Sequence, residues 1–351
     1  MERSLAELVE GCRCVAIIGM EKNAGKTTVL NQLISNRPAV VQAITSIGYD
    51  GEDTDQVTGT GKPSIYVGCG TLVATASGLL GQCDFTRELL RFTGFHTPMG
   101  EVVIVRALSD GYAQIAGPST TVQMGRLVDM LQASGAEQVF IDGAAARKST
   151  AAISSSDACI LATGAAFSHD IRQIVEQTQH QVELLTLPAA AKSLPQSPYC
   201  ADLNDCLLFN DQGEIVARAC ALEENCADMI VSQADVSTTA LFKGVVTQKL
   251  IQRLLDKSRS LAWLDLVAED GTRFMISSQQ RLELRRRLAD LRVIHPANLL
   301  AVTINPTSPS GLRLDTNELR RQISPNISLP VFDVMASENC HKTNLQEQPD
   351  A

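Results

Sequence analysis

Long apolar segments are absent from this sequence. No run reaches eighteen apolar residues, and the first fifteen residues lack the charged start, apolar middle and cleavage site of a signal peptide. The sequence therefore predicts a cytoplasmic protein that has no membrane-spanning segment and no membrane partner.

A positive net charge and paired C-x-x-C motifs are absent as well. Asp and Glu outnumber Lys and Arg by 39 to 30, and the net charge of −9 argues against a nucleic-acid partner. The ten cysteines lack the spacing and histidine partners of a zinc site, and thiols stay reduced in the cytosol. We expect most of them to be small buried apolar residues.

The composition is that of a globular protein. With 351 residues, of which 44% are apolar, the chain can bury a substantial core in one large domain or two ordinary ones. Apolar strand patterns alternate with helical patterns along the chain. They predict an α/β fold with a mostly parallel sheet and helices on both faces.

The most informative stretch lies near the start of the chain. Residues 15–18 form an uninterrupted apolar run, which is typical of a strand buried on both faces. Residues 19–27 follow and spell G-x-x-x-x-G-K-T, and residues 28–34 have the pattern of a helix. Strand, glycine loop and helix in this order predict a phosphate-binding loop, or P-loop. The alternative is a glycine turn that joins the two elements by chance.

The residue types of this loop suit a triphosphate. Glycines let the backbone curl until its N–H groups point inward, and the helix that follows adds the positive end of its dipole. We expect Lys26 to contact the outer phosphates and the Thr27 hydroxyl to ligate Mg²⁺. The residues predicted to bind the nucleotide are Gly19, Asn23, Ala24, Gly25, Lys26, Thr27 and Thr28.

Two aspartates complete the predicted catalytic set with Lys26. Asp142 ends an apolar strand, and a carboxylate there would hold Mg²⁺ together with Thr27. Asp50 lies in an acidic segment after another strand. It would contact a water of the Mg²⁺ shell or act as the base that orients the attacking water, and the alternative is a solvated loop. Residues 143–149 would form a switch that senses the γ-phosphate.

Two further polar residues end predicted strands. Arg106 follows the apolar run at residues 102–105, and it would either stabilise charge on a leaving phosphate or cap the sheet. Asn305 ends a strand predicted over residues 298–304. Because a nucleotide base commonly packs at such a position, we predict that Asn305 contacts the base or the ribose.

A stretch with three prolines, residues 188–198, predicts a linker. It would separate a nucleotide-binding core, residues 1–187, from a smaller C-terminal α/β extension, residues 199–335. That extension would complete the fold or carry partner contacts. Residues 336–351 would form a tail.

Six local patterns give more specific predictions. Residues 121–133 have the pattern of an amphipathic helix, and residues 206–219 have the pattern of a β-hairpin. Residues 83–92 have the pattern of a short helix, and a helix over residues 168–178 is followed by a strand over residues 181–187. Residues 277–291 have the pattern of a strongly basic helix. Its arginines fit either a solvated face or a contact with an acidic partner protein.

Seven motifs carry a resemblance over most of the chain. They are GMEKNAGKTT at 19–28, TSIGYDGED at 45–53, TGTGKP at 58–63, TPMG at 97–100, VIVRALSDG at 103–111, IDGA at 141–144 and NPTSP at 305–309. With them the chain resembles the P-loop subunits of the reactivases for adenosylcobalamin-dependent lysine 5,6-aminomutase. The first motif is common to many nucleotide-binding proteins, whereas the others are more particular to this family.

The resemblance implies an ATPase that uses ATP and Mg²⁺ to release damaged cobalamin from the aminomutase, with a second, MutS-like subunit as partner. It also implies kinship with dethiobiotin synthetase and with cofactor-maturation ATPases. Many members of that class carry a lysine directly after the first glycine, whereas Met20 stands there in this chain. We therefore assign no lysine that acts across a dimer.

Two other functions fit the same motifs. The first is an ATP-dependent synthetase or small-molecule kinase, which would use the second half of the chain to bind its substrate. The second is a scaffold that senses a nucleotide without hydrolysing it.

Overall fold

The structure is a computed structural model, and the residues it describes are 4–36, 40–48, 65–145, 150–190 and 204–333. The chain divides into two compact units, Met1–Gln179 with Asn298–Ala351, and His180–Ala297. The second unit is thus an insertion in the first. This division differs from the predicted one, because the segment after residue 298 rejoins the first sheet instead of belonging to a C-terminal extension.

The strands are β1 (Cys14–Gly19), β2 (Gln42–Ser46), β3 (Ile65–Val67), β4 (Leu72–Ala76), β5 (Arg87–Thr97), β6 (Gly100–Ala107), β7 (Gly111–Ala113), β8 (Gln138–Ala145), β9 (Ala158–Gly164), β10 (Asp205–Phe209), β11 (Ile215–Cys220), β12 (Thr239–Phe242), β13 (Val246–Thr247), β14 (Asp265–Ala268), β15 (Phe274–Met275), β16 (Asp290–Val293), β17 (Leu299–Asn305) and β18 (Val331–Asp333). The helices are α1 (Leu5–Leu8), α2 (Lys26–Ser35), α3 (Thr121–Ala133), α4 (Thr150–Ser154), α5 (Ile171–Leu185), α6 (Cys226–Ser232), α7 (Gln248–Lys257), α8 (Ser278–Arg286) and α9 (Thr316–Ile323).

The first unit contains a nine-stranded sheet in the order β18-β17-β9-β1-β8-β2-β4-β6-β5. The strands from β18 to β4 run parallel, and β6 and β5 run antiparallel to their neighbours. β1 lies between β9 and β8, and all of its residues are buried, as its apolar sequence predicts. The predicted α/β class and mostly parallel sheet are confirmed.

Helices pack on both faces of this sheet. Val29 of α2 belongs to a core cluster that includes Ala301 of β17. Ile304, on the same strand, packs instead with Ile174 of α5 and Leu319 of α9. Because side chains alternate between the two faces along a strand, residues 301 and 304 face opposite sides. The two clusters therefore lie on opposite faces, as predicted.

The hairpin at the edge of the sheet differs from the prediction. The helix predicted over residues 83–92 is wrong, because β5 begins at Arg87 and pairs antiparallel with β6. Pairing with the buried apolar residues of β6 overrides the helical pattern, since strand formation depends more on neighbouring strands than on local propensity.

The second unit contains a five-stranded sheet in the order β11-β10-β12-β14-β16. The β10–β11 pair is antiparallel and confirms the hairpin predicted around residues 206–219. β12, β14 and β16 run parallel, and β13 and β15 form a separate parallel pair. Apolar residues of α6, α7 and α8 pack with this sheet in one core cluster.

The structure differs from two predictions for this part of the chain. The strand over residues 181–187 is wrong, because α5 continues as a helix to Leu185. The basic helix predicted over residues 277–291 ends at Arg286, and β16 follows. In both places the spacing of apolar and polar residues over a short segment fits a helix and a strand, so the sequence pattern alone does not decide between them.

Candidate functional site

A tight loop connects the buried end of β1 to the start of α2. We call residues 19–25 the glycine loop. Gly25 precedes α2 with φ +98°, and Asn23 has φ +62°, so two positions of this loop adopt the left-handed region. Asn is one of the few residues other than Gly that tolerate this conformation. The N–H of Met20 donates to the carbonyl of Ala162, at 2.8 Å, and ties the loop to β9.

Lys26 lies across the glycine loop. Its Nζ donates a hydrogen bond to the main-chain carbonyl of Glu21, at 3.4 Å. A Cβ atom at position 19 would lie 3.0 Å from both Cδ and Nζ of Lys26. Such contacts are tighter than most Cβ contacts, so a side chain at position 19 would require the lysine to shift by a few tenths of an ångström.

The remaining residues of the predicted binding set surround the first turn of α2. Ala24 is buried, whereas Thr27 and Thr28 are half-buried. The N–H groups of the first turn of any α-helix lack partners within the helix. Buried apolar residues anchor the rest of α2, and these are Val29, Leu30, Leu33 and Ile34.

Asp142 lies on β8, the strand next to β1. In the parallel register Asp142 pairs with Ile17 on one side and with Ser46 of β2 on the other. Neighbouring strands lie roughly 4.8 Å apart, so Asp142 is near the end of β1 from which the glycine loop starts. The sheet therefore places Asp142 on the strand next to the one that leads into the glycine loop, and its role as a Mg²⁺ ligand stays a prediction.

A segment that the sequence did not single out covers the end of β2. The hydroxyl of Ser46 donates to the carbonyls of Gly48 and Ile115, at 3.3 and 3.0 Å. A Cβ atom at Gly117 would lie 2.1 Å from the main-chain oxygen of Ser46, so only glycine permits this approach. Residues 114–117 (Gln, Ile, Ala and Gly) match no motif, so the sequence alone did not predict this contact.

Asn305 contacts the glycine loop directly. Its Nδ2 donates to the carbonyl of Asn23, at 3.4 Å, and its Oδ1 accepts from the N–H of Thr307, at 3.0 Å. A Cβ atom at Gly25 would lie 3.2 Å from Cβ of Asn305. The contact of Asn305 with a base or ribose stays a prediction.

Arg106 is not near the glycine loop. Because β6 is antiparallel to β4, Arg106 pairs with Leu72, the first residue of β4. It therefore lies at the amino-terminal ends of the parallel strands, whereas the glycine loop lies at their carboxyl-terminal ends. Arg106 forms an exposed ion pair with Glu88 instead, at 3.2 Å. The phosphate role considered for Arg106 is wrong.

Several predicted features lie outside the described residues. They are Asp50, residues 146–149 of the predicted switch, residues 191–198 of the predicted linker and the predicted tail at 336–351.

Arginines of the basic segment have partners inside the second unit. Arg285 pairs with Glu183, at 3.3 Å. Arg287 donates to main-chain carbonyls at the end of α7, and Arg292 forms ion pairs with Asp265 and Asp290. These contacts favour a structural role over the predicted contact with an acidic partner protein.

The described cysteines behave mainly as apolar core residues. Burial raises the pKa of Cys159 to about 12, and burial with the nearby Asp157 carboxylate raises the pKa of Cys14 still further. Both thiols therefore stay protonated at neutral pH. Within the described part of the chain, no cluster of three or more His, Cys, Asp or Glu side chains is arranged to hold a metal ion.

No family model, curated protein or solved structure matches this chain. Among the residues that the structure describes, no helix combines the length and the apolar character needed to cross a membrane.

Proposed function

We propose that the chain is a magnesium-dependent P-loop ATPase. The observation that carries the proposal is Lys26, which lies across a loop with two left-handed residues between a central parallel strand and a helix. Parallel α/β sheets bind ligands outside the carboxyl ends of their strands, and helix N-termini favour anions. The glycine loop lies at the carboxyl end of β1 and at the N-terminus of α2, so both conditions hold. A triphosphate is the ligand that suits Lys26 best.

The roles of the remaining residues follow from their chemistry. Main-chain N–H groups of residues 23–28 bind the phosphates, and Lys26 contacts the outer ones. The Thr27 hydroxyl and the Asp142 carboxylate are hard oxygen ligands of the kind that Mg²⁺ prefers, and they come from adjoining elements. When bound, Mg²⁺ neutralises charge on the β- and γ-phosphates. Asp50 orients the attacking water in this proposal.

The motifs of the resemblance suggest what the ATPase acts on. We propose a cytoplasmic reactivating factor that couples ATP binding and hydrolysis to the release of damaged cobalamin from an adenosylcobalamin-dependent aminomutase, together with a MutS-like second subunit. In this proposal the cobalamin belongs to the aminomutase. The inserted second unit, with its own core, offers a separate body for contacts with these proteins.

A second candidate is an ATP-dependent synthetase or small-molecule kinase. The covered end of β2 favours it, because Ser46 and residues 114–117 pack closely together at the carboxyl ends of the parallel strands, where the glycine loop also lies. A small acceptor could bind there beside the γ-phosphate. A nucleotide-sensing scaffold would use the same loop without turnover.

Phosphate release distinguishes these functions. We expect slow release from Mg-ATP by the chain alone, and faster release when the MutS-like subunit and the cobalamin-inactivated aminomutase are added together. Cobalamin release from the aminomutase, followed by its absorbance after filtration, should require ATP in the same mixture.

Each alternative gives a different result in this assay. A kinase or synthetase would need a small-molecule acceptor and would ignore the two proteins. A scaffold would bind Mg-ATP without releasing phosphate under any condition. Lys26→Ala removes the lysine proposed to contact the phosphates and tests its role in this assay. Lys249→Ala is the matched control, because it removes one lysine charge from an exposed site in the second unit.

A further inference from the structure

The glycine loop is in contact with a residue from the far end of the chain. Asn305 is the last residue of β17, and β9 separates β17 from β1 in the sheet. The hydrogen bond from Asn305 to Asn23 joins residues 282 positions apart. The chain returns from the second unit to make this contact.

The backbone of Asn305 is fixed by β9. Asn305 pairs with Gly164 in the parallel register, and its carbonyl accepts from the N–H of Ala165, at 2.9 Å. A Cβ atom at Gly164 would lie 1.9 Å from the Asn305 oxygen, so this approach requires glycine. The main chain at Asn305 is therefore held against the neighbouring strand.

The side chain of Asn305 is fixed from the other direction. Its Oδ1 accepts from the N–H of Thr307, which leaves Nδ2 directed at the carbonyl of Asn23. Its Cβ lies against Gly25, the residue that precedes α2. Both loop residues that it contacts, Asn23 and Gly25, are those with positive φ.

We infer that Asn305 is a positioning residue, which holds the glycine loop in its phosphate-binding conformation instead of reading the base. Left-handed residues persist where surrounding contacts determine them, and Asn305 supplies such contacts to both. A preformed loop binds its ligand more tightly, because less ordering remains to be done on binding. The inference rests on the proposed function, since it names the phosphates as the ligand of this loop.

Two triphosphates, with and without a base, test this role. The binding of Mg-ATP and of Mg-tripolyphosphate is measured by calorimetry for the full chain and for Asn305→Ala. Loss of one hydrogen bond predicts that both affinities fall by the same factor, about three- to tenfold. If Asn305→Ala weakens the binding of Mg-ATP but leaves that of Mg-tripolyphosphate unchanged, Asn305 contacts the base or the ribose and the inference is wrong.

A matched control separates this effect from general destabilisation. Asn298 stands just before the same strand, and its Nδ2 donates to the carbonyl of Asp157, at 3.0 Å. Asn298→Ala therefore removes the same kind of hydrogen bond at the other end of β17. We expect it to leave both affinities unchanged.

Hydrogen exchange tests the inference without a ligand. Asn305→Asp keeps the acceptor for the N–H of Thr307 but loses the donor to Asn23. Amides of residues 20–25 should exchange faster in Asn305→Ala and in Asn305→Asp than in Asn298→Ala. Unchanged exchange in both Asn305 variants overturns the positioning role. If the unaltered chain binds neither triphosphate, the proposed function fails, and the exchange result still decides whether Asn305 holds the loop.

Discussion

The end of α8 allows a quantitative prediction, because a leucine occupies a position that usually carries glycine. Leu288 has φ +61° and is 68% exposed. Its N–H bonds to the carbonyl of Arg285 and the N–H of Ala289 bonds to the carbonyl of Leu284, both at 3.0 Å. This pair of hydrogen bonds is the Schellman motif, in which the residue at the position of Leu288 is left-handed.

Replacing this leucine by glycine should not destabilise the protein. The left-handed conformation costs a residue with a Cβ roughly 1–2 kcal/mol, and glycine removes that cost. Glycine also adds freedom to the unfolded chain, which lowers stability by roughly 0.5–1 kcal/mol. Little apolar contact is lost, because most of the side chain is exposed. We therefore expect Leu288→Gly to raise the free energy of unfolding by up to about 1 kcal/mol.

Leu282→Gly is the matched control. Leu282 lies inside α8 and is 48% exposed, so the same substitution adds chain freedom there without relieving any strain. We expect it to lower the free energy of unfolding by about 1 kcal/mol. The two variants should then differ by roughly 1–2 kcal/mol, and the contributions they share cancel in this difference.

Urea unfolding followed by tryptophan fluorescence measures the difference. Trp263 is the single tryptophan of the chain and packs against the core of the second unit, so its signal reports the unit that contains α8. Equal losses of stability in Leu288→Gly and Leu282→Gly would refute the reasoning.

Two further predictions concern the second unit. Hydrogen bonds from Lys249 and Arg253 lower the pKa of the exposed Glu224 carboxyl from 4.5 to about 2. Because the folded pKa lies below the unfolded one, this stabilisation exists above pH 4.5 and is lost as the pH falls toward 2. The difference in Tm between the unaltered chain and Glu224→Gln should therefore be constant near neutral pH and shrink in acid, and a pH-independent difference would contradict this. In Gly271→Ala the new Cβ would lie 2.0 Å from the carbonyl oxygen of Leu184. We therefore expect the free energy of unfolding, measured by Trp263 fluorescence, to fall by about 1–3 kcal/mol. Unchanged stability would show that the close approach of Gly271 to Leu184 is not needed.

The elements with the strongest local patterns were predictable from the sequence. The helix predicted over residues 121–133 is α3, with the same bounds, because its apolar residues recur at helical spacing and Thr120 caps it. β1 is equally clear, since a short apolar run before a glycine loop has few other interpretations. In these places local propensity and tertiary packing agree.

The errors occur where a distant strand decides the structure. Residues 87–97 form a strand because β6 pairs with them, and β6 is antiparallel, which places Arg106 at the opposite edge from the glycine loop. No sequence pattern within residues 83–108 shows whether β6 runs parallel or antiparallel to its neighbours. The bounds of the second unit have the same origin, because they depend on the pairing of β17 with β9.

The candidate site was predictable only in its local part. Gly19, Lys26 and Thr27 follow from one contiguous motif, whereas the contact of Asn305 with Asn23 requires the whole topology of the first unit. The cover that residues 114–117 form over Ser46 also depends on a long-range contact. Sequence patterns identify residues that carry chemistry, but the residues that position them come from other parts of the chain.

Binding of Mg-ATP by the purified chain tests the central claim most directly. Calorimetry should show saturable binding that requires Mg²⁺, and Lys26→Ala should weaken it at least tenfold, since a charge-assisted contact contributes about 1.5–3 kcal/mol. Lys249→Ala should bind as the unaltered chain does. If the chain has no affinity for any magnesium nucleotide, or if Lys26→Ala binds as tightly as Lys249→Ala, the glycine loop is not a phosphate-binding loop.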